Sequence, residues 1–252
     1  IYVAYAQAVP MKYAIDADKC LYLTKGKCGN CKKVCPADAI DYEMKEQIEK
    51  INVGAVVLAP GYELFDARLK KEYGYKEFKN VLNSLEFERV LSATGPYQGH
   101  VVRPSDHQTP KKVAFIQCVG SRDEKVGNPF CSSVCCMYAL KQAIIAGEHT
   151  TGLKSTIFFM DLRAFGKEFE DYAKRAENEY GIKMHRGTRV ASVEETEGNN
   201  LLLRYSDGNN VLAEEFDLVV LSAGFQPPSS AKALADRLGF KLNEFGFCQT
   251  GV

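Results

Sequence analysis

The sequence predicts an α/β chain built around a nucleotide-binding-like domain, with a cysteine-rich segment ahead of it. Three observations predict it. From Lys112 onward, apolar strand-like runs alternate with helix-like stretches, the pattern of a sheet covered by helices. Two apolar runs, Gly54–Gly61 and Leu218–Gly224, end alike in small residues and glycine, as strands do where the backbone must turn close beside a cofactor. Eight of the nine cysteines fall into two sets of four, Cys20, Cys28, Cys31, Cys35 and Cys118, Cys131, Cys135, Cys136.

In chain order, residues 1–50 read as a loop-rich segment around the first cysteine set. Val53–Gly61 reads as a strand ending in a turn, and residues 51–111 form a second segment that closes with a Gly-, Pro- and His-bearing linker over 94–111. A helix begins at Asn83 or Ser84, where Asn83 and Glu86 are spaced for a capping box. The α/β domain spans 112–228. It opens with a buried strand at Val113–Gln117 and a helix over Cys131–Gly147. A strand at Ser155–Met160 follows, then a helix at Lys167–Tyr180 stopped by Gly181. Short strands at Arg189–Glu194, Leu201–Tyr205 and Val211–Ala213 are joined by an Asp207-Gly208 turn, and Asp217–Gly224 closes the domain. Residues 229–252 carry one more helix, Ala231–Leu238.

Composition excludes several classes of function. Thirty-two basic residues balance thirty-two acidic ones, so no global basic field draws the chain to nucleic acid or an anionic membrane. No run of eighteen apolar residues is present to span a bilayer, and no charged-then-apolar leader opens the chain; both point to the cytoplasm. A disulfide framework belongs to short secreted chains, and an odd cysteine count leaves one thiol unpaired.

The first set reads Cys20-x7-Cys28-x2-Cys31-x3-Cys35-Pro36, and its ending matches the bacterial ferredoxin signature for a [4Fe-4S] cube. Gly29 and Asn30 supply the tight backbone between ligands, and Ala37–Ile40 resembles the short helix that follows such a loop. Structural zinc is the rival, since four thiolates suit it too. Cys35 either closes this cube or serves another. In the second set, Cys131 and Cys135 are four apart and share a face if both are helical, whereas Cys136 joins them only where the first turn is uncapped or distorted. The alternative is that these cysteines are small core hydrophobes. A working nicotinamide domain would show Gly-x-Gly-x-x-Gly after its first strand; Cys118-Val119-Gly120-Ser121-Arg122 stands there instead, so NAD(P) is not expected to bind. The fingerprint is absent elsewhere, so a flavin diphosphate would be held by residues before Ile1 or by another chain.

The run Val113–Glu124, with Cys131-Ser132-Ser133-Val134-Cys135-Cys136-Met137-Tyr138-Ala139-Leu140-Lys141-Gln142-Ala143, resembles the family of the heterodisulfide reductase A subunit and its homologues, which include flavoprotein subunits of quinone-interacting oxidoreductase complexes. Tyr62-Glu63, Leu85–Arg89, His100–Asp106 and Phe159–Lys167 extend the resemblance over essentially the whole chain. It implies a thioredoxin-reductase-like flavin module with an inserted ferredoxin domain, of which this chain resembles the middle. It implies [4Fe-4S] clusters at the two cysteine sets, one of them beside FAD. It places Lys141 near the flavin N5 and Glu88 close by as catalytic residues, with Gly61, Tyr62, Glu63, Lys141 and Gly224 binding the cofactor. The implied activity is that of an oxidoreductase passing single electrons between FAD and clusters, extending in this family to electron bifurcation. The implied partners are other subunits of a heterodisulfide-reductase-type complex, and ferredoxin. From other classes, the alternatives are a cluster-bearing relay or scaffold without its own flavin, and a zinc-stabilised binding module.

Overall fold

The computed structural model describes residues 1–5, 8–45 and 47–250; Ala6, Gln7, Glu46 and the end of the 229–252 segment, Gly251 and Val252, lie outside them. The chain forms two compact units, Ile1–Leu58 and Ala59–Val252, dividing eight residues past the end of the expected 1–50 segment.

In the first unit, β1 (Tyr2–Val3) pairs antiparallel with β2 (Tyr13–Ala14). Two one-turn helices follow, α1 (Leu21–Lys25) and α2 (Asn30–Val34). Gly26 ends α1 and Gly29 precedes α2, both left-handed, a conformation that costs glycine nothing. A turn stands where a helix was expected over Ala37–Ile40, and the short helix is α2 instead, which contains Cys31 and ends at Cys35. The strand expected at Val53–Gly61 is not formed. Its valines are exposed, Val57 at 92%, and a strand without a hydrogen-bonding neighbour has nothing to hold it extended.

The second unit begins with β3 (Glu63–Leu64), β4 (Val81–Asn83) and α3 (Ser84–Leu91). Asn83 Oδ1 accepts from the Glu86 N–H, and the Glu86 carboxylate accepts from the Asn83 N–H, each at 2.9 Å, completing the capping box. Next come β5 (Lys112–Val119), α4 (Cys135–His149), β6 (Lys154–Phe159), α5 (Phe169–Asn178) and β7 (Lys183–Arg186). The strands β8 (Val190–Glu195), β9 (Leu201–Ser206) and β10 (Val211–Phe216) form an antiparallel sheet. The chain then continues through β11 (Leu218–Ala223), β12 (Phe225–Gln226) and α6 (Ala231–Leu238).

The central sheet is parallel, in the order β4-β11-β5-β6-β7. Its inner strands are apolar on both faces, as a sheet covered on both sides requires. On one face Val113, Phe115, Leu218 and Val220 pack with Phe87, Leu140 and Ala143 from α3 and α4. On the other, Ala114, Ile116, Val219 and Leu221 pack with Leu201, Leu203 and Phe216 from the antiparallel strands. The alternation along β5 and β11 therefore decides which layer each side chain joins. The stretch over 94–111, expected as a linker, is irregular but anchored, with Val101 and Arg103 buried and Arg103 donating to Asn200 Oδ1 at 2.8 Å.

Candidate functional site

The second cysteine set gathers at the carboxyl ends of the parallel strands, where open α/β sheets bind their ligands. Cys118 is the penultimate residue of β5. Its φ of +60° coincides with a break in register against β11, so the strand bulges there. Cys135 and Cys136 are the first two residues of α4 and are buried. Cys131 is not helical. The helix expected from Cys131 begins four residues later, because Ser133 is left-handed at φ +64° and Val134 occupies the N-cap position without a side-chain cap. The shared helical face expected for Cys131 and Cys135 is thereby replaced by convergence from three places: a strand end, a loop and a helix start. The uncapped first turn that Cys136 required is present.

Three of the thiols, Cys118, Cys135 and Cys136, are shifted by burial and by neighbouring sulfurs. Cys135 is held in the protonated form first by its hydrogen bond with Cys136, then by burial and the neighbouring sulfurs. The same bond draws Cys136 down to about 7. Burial, reinforced by Cys136, pushes Cys118 up to about 11. Neighbouring sulfurs that resist ionising together can do so once cationic metal neutralises them, and four cysteine sulfurs are the donor set of a [4Fe-4S] cube. Among the described residues, all nine cysteines are free thiols, and no three His, Cys, Asp or Glu side chains are placed as ligands of a single metal ion.

Cys131 also lines a cleft of about 360 Å³ with Tyr62, Phe130, Phe225 and Phe247. Tyr62 and Phe225 are stacked, centroids 3.8 Å apart, and both recur in a second cleft of about 210 Å³ lined by Ser84, Glu88, Tyr138, Lys141 and Gln142. One aromatic pair thus stands between Cys131 and the two charged residues expected at the flavin. Lys141 Nζ donates to Glu88 Oε1 at 2.8 Å, and Gln142 Nε2 donates to Glu88 Oε2 at 2.9 Å and to the Ser84 carbonyl at 2.9 Å. Partial burial raises the Glu88 carboxyl, but the hydrogen bonds from Lys141 and Gln142 outweigh it and hold it below its ordinary value. Gln142 is buried and its Oε1 has no partner, an acceptor left at the edge of this cleft. Sequence reading passed over it, since a helical glutamine beside a lysine carries no distinguishing pattern.

The remaining expected cofactor residues fall around these clefts. Gly61 is left-handed at φ +78° with open space around it, and Glu63 in β3 accepts from the Ser229 N–H at 2.7 Å. Gly224 joins β11 to β12. A Cβ there would meet the Gly120 carbonyl oxygen at 2.8 Å and Ser121 Cβ at 2.9 Å, so protein packing alone accounts for this glycine. The start of α4, which would face a diphosphate in a nicotinamide domain, presents Cys135 and Cys136.

In the first unit, Cys20 precedes α1, Cys28 is left-handed at φ +86°, Cys31 lies in α2 and Cys35 ends it. Cys20, Cys28 and Cys31 line a cleft of about 720 Å³ with Ile15, Asp16 and Lys19. Cys35 Sγ accepts from the Ala39 N–H at 3.4 Å. Tyr42, stacked on Tyr22, lies 2.7 Å from Cys31 Sγ, and this contact pushes the phenol up to about 12.

The family model for pyridine nucleotide-disulphide oxidoreductases matches residues 15–250. The chain belongs to the pyridine nucleotide-disulphide oxidoreductase family. Within it, the chain is similar to components of heterodisulfide reductases. It is 45% identical to the iron-sulfur A subunit of the CoB–CoM heterodisulfide reductase of Methanocaldococcus jannaschii, over 98% of this chain and 37% of that protein. It is 47% identical to the A subunit of the H2/formate:CoB-CoM heterodisulfide,ferredoxin reductase of Methanococcus maripaludis, again over 98% of this chain and 37% of that protein. It is 41% identical, with the same coverage of 98% and 37%, to the A subunit of the H2:CoB-CoM heterodisulfide,ferredoxin reductase of Methanothermobacter marburgensis. The chain therefore spans little more than a third of these relatives, and the resemblance to heterodisulfide reductase A subunits expected from its motifs is borne out. Among the described residues no helix is long and apolar enough to cross a membrane.

Proposed function

We propose that this oxidoreductase-family chain passes electrons between FAD and [4Fe-4S] clusters as part of a heterodisulfide-reductase-type complex in the cytoplasm, with other subunits of that complex and ferredoxin as partners. The observation that carries the reading is the pair of adjoining clefts: Cys131 lines one, Lys141 and Glu88 line the other, and Tyr62 and Phe225 belong to both. When bound, FAD supplies the exchange between two-electron and one-electron chemistry, and iron–sulfur clusters take single electrons. Electron bifurcation is the elaborated form of the same transfer.

In this reading Cys118, Cys131, Cys135 and Cys136 hold one cluster, and Cys20, Cys28, Cys31 and Cys35 hold a second of ferredoxin type. Gly61, Tyr62, Glu63 and Gly224 border the flavin. The Lys141 ammonium stabilises negative charge on the reduced ring, and Glu88 holds that ammonium in place through its 2.8 Å ion pair. The paired rings of Tyr62 and Phe225 stand between the cluster side and the flavin side of the site.

Anaerobic preparation with iron, acid-labile sulfide, zinc and flavin analysis tests the reading. Iron and sulfide should be lost in part from a Cys28→Ser/Cys31→Ser variant and in part from a Cys135→Ser/Cys136→Ser variant. Zinc in place of iron at the first set would replace the ferredoxin assignment. Full clusters with no flavin uptake would favour a relay without its own flavin.

A further inference from the structure

We propose that Arg163 positions and tunes the cluster expected at Cys118, Cys131, Cys135 and Cys136, its Nε–H donating to a sulfur of that cluster while Asp161 holds its other edge. The proposal rests on the functional reading above and concerns residues that reading leaves without a role.

The starting point is an orphan. Arg163 Nε is buried and has no hydrogen-bond partner, although a guanidinium is donor-only and charged, so leaving one of its N–H groups dry and unpaired is unfavourable. The rest of the side chain is partly exposed and is held by Asp161. Arg163 Nη2 pairs with Asp161 Oδ2 at 3.0 Å, and the other Asp161 oxygen is taken by Arg122. Arg122 is itself tied to the cysteine loop, its N–H donating to the Phe130 carbonyl at 2.9 Å, one residue before Cys131.

The neighbouring acceptor is sulfur. The segment following β6 meets Cys136 through its backbone: Cys136 Sγ lies 4.0 Å from the Asp161 carbonyl, two residues before Arg163. The guanidinium interacts electrostatically with both Cys131 and Cys136. A dry N–H held in that position has thiolate and sulfide as its natural acceptors, and such hydrogen bonds raise the potential of an iron–sulfur cluster by stabilising its reduced, more negative state. Asp161 sets the strength of the effect, since one carboxylate shared by two guanidiniums leaves a net positive charge beside the cluster.

The test uses the full chain in a Cys28→Ser/Cys31→Ser background, so that one cluster signal remains, with iron and sulfide content measured beside the midpoint potential. Arg163→Met removes charge and donor. Arg163→Lys keeps the charge and removes the Nε–H. Both variants should show a lower potential than their parent at unchanged iron content, with the larger fall in Met. If Met fails to retain iron, the Lys variant decides. A full complement of iron with an unmoved potential in Arg163→Lys overturns this proposal alone. A parent protein with no iron or sulfide at these cysteines overturns the functional reading and the proposal together.

Discussion

Replacing Gly224 by alanine tests whether packing or a cofactor fixes this residue. The new methyl would stand 2.8 Å from the Gly120 carbonyl oxygen and 2.9 Å from Ser121 Cβ, both closer than van der Waals contact. Neither side can yield freely. The Gly224 N–H donates to Val119 at 2.8 Å and its carbonyl accepts from Phe65 at 2.8 Å, while the Gly120 carbonyl accepts from Asn128 Nδ2 at 2.9 Å. Overpacking costs about 1–3 kcal/mol, and a backbone oxygen with a Cβ beside it puts this case in the upper part, about 2–3 kcal/mol. For a unit of nearly two hundred residues that is a fall in Tm of roughly 4–12 °C. Urea unfolding of the protein without flavin should show the loss as a lower midpoint at unchanged slope. Gly147→Ala is the control of opposite sign: the position is near the end of α4 with open space around it, and alanine there should stabilise by about 0.5–1 kcal/mol. A Gly224→Ala protein within about 0.5 kcal/mol of the parent would refute the packing account and leave the glycine to a cofactor, since ordinary surface changes fall in that range.

With FAD bound, Lys141→Met should lower the flavin potential and Glu88→Gln should raise it, because the two halves of the ion pair act with opposite sign. A unit charge at close range in an effective dielectric of about 20 is worth up to about 4 kcal/mol, and a quarter of that, about 1 kcal/mol, is about 40 mV; redox titration with shifts of the same sign in both variants would oppose the assignment. Asn83→Ala removes the side-chain arm of the capping box at the start of α3, the acceptor for the Glu86 N–H, while keeping the backbone N–H that donates to Glu86, and should cost about 1 kcal/mol in denaturant unfolding. Asp123 is held below its ordinary value first by its hydrogen bond from Lys70, so its contribution is present above the unfolded value of about 3.9 and is lost as pH falls through the lower folded one. The stability difference between the parent and Asp123→Asn should accordingly be flat from about pH 5 to 8 and shrink below about pH 4, as followed by urea unfolding at each pH.

Local signals were legible where the local structure is self-sufficient. The Asn83–Glu86 capping box and the Ala231–Leu238 helix are present as read, because a cap and a short amphipathic helix are written within a few residues. The strands at the centre of the sheet were also legible, since burial on both faces leaves a continuous apolar run in β5 and β11. The apolar run at Val53–Gly61 looked equivalent and is irregular, because composition reports a preference for extended backbone and not the neighbour that would pair with it. Conversely, β7 is polar and half-exposed, and β3 and β12 are two-residue pairings between Glu63–Leu64 and Phe225–Gln226, too short and too distant in sequence to leave a pattern.

The site divides along the same line. Spacing singled out the candidate residues, but their arrangement depends on which strand ends the topology brings together. Reading Cys131 and Cys135 as neighbours on one helix would line their sulfurs along a single face, a poor way to surround a compact cluster. The left-handed Ser133 releases Cys131 into a loop, and Cys118, at the bulged end of β5, joins it and the first turn of α4 from a different direction. Enclosure from several sides is what a cube-shaped group needs, and it comes from a single residue outside the helical region. Arg163 was invisible for a related reason. Its partner Asp161 lies two residues away, but the acceptor its Nε–H lacks belongs to sulfur chemistry assembled from β5, the 131 loop and α4, and no window of sequence contains all of these.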